Sequence, residues 1–132
     1  MSAQTKFLAM LPTLAQSKAR LREARTVFET RARVAEEMRD HLKRSKAEVV
    51  AAEAARDEAE GDLLAALAGT PEEVAADGAH AKAMRAVDKA EAAAAKVKDA
   101  VQKADMESAD AGRELAAARS ELRAVREGRR AK

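Results

Sequence analysis

The chain has 132 residues, no cysteine, tryptophan or tyrosine, and a formal net charge of +2. Alanine supplies 36 residues, only 26 larger apolar ones remain (ten Leu, nine Val, five Met, two Phe), and 36% of the chain is charged. That length allows one domain at most, so few large apolar residues cannot fill a thick globular core, and the lack of cysteine excludes a disulfide framework or a thiolate metal site.

Residues 1–11 read as an apolar hook or short helix, with Phe7, Leu8, Met10 and Leu11 beside Lys6. The stretch before Glu23 has no acid, as in a transit peptide. Phe7 and Leu14, however, open a seven-residue register that continues downstream, so the segment is expected to belong to the folded protein. No apolar run approaches the ~18–20 residues of a membrane span. The expectation is a protein without signal peptide or transmembrane segment, soluble and intracellular or held inside a larger particle. One turn of moderately apolar residues binds lipid weakly, so the hook is expected to pack on a protein rather than on a membrane.

Residues 12–68 are expected to form a first long helix, 69–71 a turn, 72–127 a second long helix and 128–132 a basic tail. Pro12 and Pro71 are the only prolines, and proline suits a first helical turn, where its missing N–H is not needed. Gly69 suits the left-handed cap that ends a helix. Thr70, with Glu73 three residues on, has the spacing of a capping box. Asp77-Gly78 leaves open a start of the second helix nearer Ala79.

A repeat of seven marks helices that pack along a seam. On the first helix one seam position collects Phe7, Leu14, Leu21, Phe28, Ala35, Leu42, Val49, Arg56 and Leu63. Three residues later stand Ser17, Ala24, Arg31, Met38, Ser45, Ala52, Ala59 and Ala66. The second helix gives Val87, Ala94, Val101, Ser108, Leu115 and Leu122, with Ala83, Ala90, Val97, Ala104, Ala111, Ala118 and Val125 as companions. Folding at the turn pairs residues whose numbers total about 139, so that Phe28 faces Ala111, Leu115 faces Ala24 and Val87 faces Ala52. Large residues meet small ones, which lets facing layers interdigitate. The fold class expected is all-α: a long antiparallel two-helix coiled-coil hairpin with an alanine-rich seam, each arm roughly 80 Å at 1.5 Å per residue. A seam this thin invites assembly into a larger helical bundle.

Charge is segregated along the chain. Residues 1–47 carry a net +6, residues 48–80 a net −8 and residues 81–132 a net +4. The basic end comprises Lys18, Arg20, Arg22, Arg25, Arg119, Arg123, Arg126, Arg129 and Arg130. The acidic turn end comprises Asp57, Glu58, Glu60, Asp62, Glu72, Glu73 and Asp77. Acids at a helix start and bases at its end are favoured by the helix dipole, which explains Glu72 and Arg126. Asp57 to Asp62 near a helix end and Lys18 to Arg25 near a helix start oppose that rule, which marks them as candidate contact surface.

No catalytic constellation is expected. His41 and His80 are the only histidines and fall opposite different residues, both reading as surface groups. The glycines are scattered singly, so no phosphate-cradling loop is present. No cofactor, metal or small-molecule substrate is expected. Protein partners or self-association are, and two hairpins set head to tail would bring the −8 segment against the positive end of a neighbour. The reading is a non-enzymatic structural or adaptor protein within a larger assembly of the virion or secretion-machine kind. The alternatives are a sequence-independent nucleic-acid-associated protein using its basic end, weakened by the interleaved Glu23, Glu114, Glu121 and Glu127 and by the lack of aromatics for stacking, or a regulator that inserts its acidic tip into a basic cleft. In outline the hairpin resembles those of type III secretion export-stalk proteins and of transcription factors with acidic hairpin tips. No motif is shared, and the likeness of shape implies no residue role.

Overall fold

The computed structural model describes the backbone of residues 12–130 and the side chains of residues 12–128. Helix α1 spans Leu14–Ala65 and helix α2 spans Pro71–Arg130. They form an all-α helical hairpin, with no strand among the described residues. The expected hook at residues 1–11, with Phe7, Leu8, Met10 and Leu11, lies outside the described residues.

α1 opens on Thr13, not on Pro12. The Thr13 N–H donates to the Gln16 Oε1 at 2.9 Å, and the Gln16 N–H donates to the Thr13 Oγ1 at 3.1 Å. This is a complete capping box, and it satisfies two of the donors that a helix start leaves over. Pro12 therefore stands one residue outside the cap.

The connection is longer than the expected 69–71, because α1 ends at Ala65 rather than Ala68. The Ala66 N–H is shared between the Asp62 and Leu63 carbonyls, at 3.1 and 3.3 Å, which tightens the last turn. Leu67–Thr70 then form a β-turn, closed by the Thr70 N–H on the Leu67 carbonyl at 3.3 Å. Gly69 occupies its third position at φ +76°, the left-handed value that a type II turn requires there. Glycine thus shapes the turn instead of capping the helix. Thr70 caps α2 as expected, its Oγ1 accepting from the Glu73 N–H at 3.3 Å. The reciprocal half of the expected box is not formed, since the Thr70 N–H is already committed to Leu67.

α2 runs through Asp77-Gly78 without a break and on to Arg130, past the residue 127 at which a tail was expected. One helical glycine costs only about 1 kcal/mol relative to alanine, too little to stop a helix with hydrogen bonds on either side. A Cβ at Gly61 or Gly78 would meet nothing within 4 Å. Gly61→Ala and Gly78→Ala should therefore each raise the unfolding free energy in urea by about 0.5–1 kcal/mol. Gly69→Ala should lower it, because alanine is strained at that φ.

Lettering the seam positions a and d, the described seam residues are buried or half-buried on both helices, with one exception. Arg31 is exposed, and its Nη1 lies 3.9 Å from the Glu107 Oε2. A guanidinium in a two-helix seam reaches water by laying its alkyl stem along the partner helix.

The hairpin divides into two compact units. One is built from residues up to Ala35 and from Ala104 onward, the other from Glu36 to Lys103. The first unit holds most of the buried side chains: Ser17, Ala35, Ala104, Ala111, Leu115, Ala118, Leu122 and Val125. Here the ring of Phe28 reaches α2 beside Ala111, with its Cε2 3.4 Å from where a Gly112 Cβ would stand. In the second unit only Ser45, Val87 and Val101 are buried, and no residue between 46 and 86 is. Its seam is diluted by Arg56, Glu73 and His80, all half-buried. His80 is accordingly not the plain surface residue expected from the sequence: it stands seven residues before Val87, in the same seam position.

Candidate functional site

Around each helix, the residues next to the seam fall into two flanks, positions e and b on one edge and positions g and c on the other. In an antiparallel pair, like flanks meet across the seam, while a faces d within it. The first unit displays this directly. One groove is lined by Arg20, Glu23, Ala24, Val27, Glu114, Ala117, Ala118 and Glu121, all of them g, c or d residues. The other is lined by Leu21, Arg119, Leu122, Arg123, Arg126 and Glu127, which apart from Glu127 are a, e and b residues.

The charges of the basic end are sorted between these two grooves. Arg20 lies in the first and donates from Nη1 to the Glu121 Oε1 at 2.7 Å, a cross-helix ion pair in the company of Glu23 and Glu114. Such an exposed pair contributes about 0–1 kcal/mol, so it closes the groove more than it stabilises the fold. Arg119, Arg123 and Arg126 line the second groove. Lys18, Arg22 and Arg25 stand three before, one after and four after Leu21, which puts them on the same e/b edge, all of them exposed. Six basic side chains thus share one flank, and Glu127 is the single acid among the residues lining its groove. The side chains of Arg129 and Arg130 lie outside the described residues.

In the second unit it is the exposed apolar side chains that gather on one edge. Leu63, Glu73, Val74 and Asp77 line a groove on the e/b edge at the turn end. Among the described residues of this unit the exposed large apolar side chains are Val50 (64% exposed), Leu64 (80%), Leu67 (71%), Val74 (74%) and Met84 (48%). Val50, Leu64 and Val74 hold position b and Met84 position e, while Leu67 lies in the turn. Among the expected tip acids, Asp57, Glu60 and Asp77 hold e or b positions on this flank. Glu58, Asp62 and Glu72 fall on the g/c flank, and Glu73 sits in the seam. All seven except Glu73 are exposed. The flank therefore combines large apolar side chains with carboxylates, and no Lys or Arg occupies an e or b position between Val50 and Met84.

These two flanks are the candidate functional surfaces. Charge summed along the chain locates these residues but not their sides. Glu23, Glu114 and Glu121, which interleave with the basic residues in sequence, line the other groove. Val34 and Val50, both apolar and off the seam, are exposed on opposite flanks, in different units.

Among the described residues, no group of three His, Cys, Asp or Glu could hold a metal ion. His41 is exposed. No helix of the described residues is long and apolar enough to cross a membrane. Comparison of the chain with protein-family models, with curated proteins and with solved structures finds no match.

Proposed function

We propose that the chain is a non-catalytic helical-hairpin adaptor, a structural part of a larger protein assembly that it contacts through its two charged flanks. One observation carries this reading: at the basic end six Lys and Arg side chains share one edge of the seam while Glu23, Glu114 and Glu121 line the other, and at the turn end the exposed Val50, Leu64, Val74 and Met84 share one edge. Solvated charge has no reason to sort by edge, whereas a docking surface does. Leu64, Leu67 and Val74 left in water lose the stabilisation that their burial against a partner would supply, about 25 cal/mol per Å² of apolar surface. The grooves are open and shallow, which suits a helix or an extended surface better than a small substrate.

The test is purification of the chain from its native source, with a nuclease step. A stoichiometric protein complex should survive nuclease and be lost on charge reversal at Arg119, Arg123 and Arg126, or at Asp57, Glu60 and Asp77. A lone chain, or an association that nuclease abolishes, would overturn the adaptor reading.

A second reading has an observation of its own. Because Glu23, Glu114 and Glu121 line the opposite groove, the basic flank offers phosphates a nearly continuous row of cations. Contact of this kind is sequence-independent and weakens steeply with salt. Gel retardation of a random duplex that vanishes in moderate salt, and in the Arg119, Arg123 and Arg126 reversal, is its signature.

A further inference from the structure

We propose that the occupant of the acidic apolar flank is the basic flank of a second copy of this chain. The inference deepens the adaptor reading and rests on it for the claim that the flanks are contact surfaces. What it adds is the identity of one partner, and charge complementarity carries it. Asp57, Glu60 and Asp77 stand on the e/b edge of the second unit among Val50, Leu64, Val74 and Met84. Lys18, Arg22, Arg25, Arg119, Arg123 and Arg126 stand on the e/b edge of the first. Between Val50 and Met84 the one flank has no Lys or Arg, whereas the other holds six.

The match extends beyond sign. Arginine and lysine bury long alkyl stems against apolar surface while their charged heads reach for acceptors. A row of them is therefore a suitable cover for a surface on which exposed Leu64 and Val74 alternate with carboxylates. Guanidinium groups can take those carboxylates in bidentate fashion, which fixes register as well as affinity. Internal pairing on the flanks is weak: Arg20, the basic-end residue paired across the hairpin to Glu121, is on the other edge, and Asp57 meets the adjacent Arg56 at 3.4 Å in an exposed pair worth about 0–1 kcal/mol. Docking on a second copy adds opposite charge to each flank and covers the apolar side chains.

Sedimentation equilibrium of the full chain, across about two decades of concentration, decides the matter. At low salt the mass should rise with concentration above the 14.1 kDa of one chain, and high salt should reverse it. Two triple variants should each weaken association by about 100-fold or more, Arg119→Glu with Arg123→Glu and Arg126→Glu, and Asp57→Lys with Glu60→Lys and Asp77→Lys. All six side chains are exposed, so circular dichroism should report unchanged helix. The deciding sample is the equimolar mixture. One variant then keeps its acidic flank and has lost the net charge of its basic one. The other keeps its basic flank and has a basic charge in place of its acidic one, so the two should pair with each other although neither pairs with itself. Loss of folding cannot produce that rescue.

A chain that stays at 14.1 kDa at every concentration in low salt overturns self-pairing and leaves the adaptor reading to its own nuclease-resistant complex. Association that both reversals leave intact overturns the flank pairing, as does a mixture that stays monomeric. A monomer that retards duplex nucleic acid through Arg119, Arg123 and Arg126 overturns it in favour of a phosphate ligand.

Discussion

Replacing Leu115 by alanine should lower the unfolding free energy by about 2–5 kcal/mol, toward the upper part of that range. Leu115 is among the large side chains that the hairpin buries, with 5% of its surface left exposed. In the seven-residue register it faces Ala24, and the next seam residues on its own helix are Ala111 and Ala118. The cost of such a truncation has a transfer part and a cavity part, and the cavity part shrinks only if neighbours can move in. Alanine has no rotamers with which to do so. The helix backbones could approach, but Phe28 and Leu21 stand in adjacent layers of the register and hold them apart. Leu64→Ala is the matched control. Leu64 is 80% exposed, so in the monomeric chain its removal should change stability by no more than about 0.5 kcal/mol. Urea unfolding of both variants at high salt and low concentration separates the two. A small loss for Leu115 would mean that the seam register is wrong.

The register itself was open to reading from sequence, for a physical reason. A seven-residue repeat between two long helices leaves one way to bury a continuous stripe, and Leu21, Phe28, Ala35 and Leu42 mark it without help from the fold. The start of α1 was legible too, in Thr13 followed by Gln16, but Pro12 is the louder signal and points two residues too early. The turn was legible in its residues and not in its geometry. Gly69 announces a positive φ, yet whether that φ ends a helix or shapes a β-turn depends on where the preceding hydrogen bonds stop.

The flanks show a different kind of limit. Summing charge along the chain places Glu121 beside Arg119 and Arg123, whereas around the helix it lies on the other edge, against Arg20. The e/b and g/c lettering needed to separate them was available once the seam was known. Burial was less accessible. Val49 and Leu63 hold the same seam position as Ala35, yet they are only half-buried while Ala35 is buried. What covers a residue is its facing neighbours, and at the turn end these are alanines interrupted by Arg56, Glu73 and His80.

That difference in burial should govern local opening. Amides in residues 49–83 are expected to exchange with solvent at least about 100-fold faster than those of residues 111–125, which is a difference of roughly 2.7 kcal/mol in opening free energy. Local stability follows buried apolar contact, and the 46–86 stretch buries no residue at all. Its alanines favour helix intrinsically, so the stretch should remain helical on average while opening often. Within it, the last turns of α1 should be the least protected. Asp57, Glu58, Glu60 and Asp62 crowd toward the negative end of the α1 dipole, and the last turn of α1 has no basic residue. Opposite them, Glu72 and Glu73 favour the start of α2 through the same dipole but add to the repulsion across the turn. Salt screens both penalties. Raising ionic strength should therefore slow exchange in Arg56–Ala65 more than in residues 111–125, at a protein concentration where the chain is monomeric. The same salt weakens the flank pairing, so a slowing of exchange at the turn end as salt rises separates local repulsion from protection by a second copy. Equal exchange in the two stretches would mean that the alanine seam of the turn end, and not buried leucine and valine, holds the hairpin together.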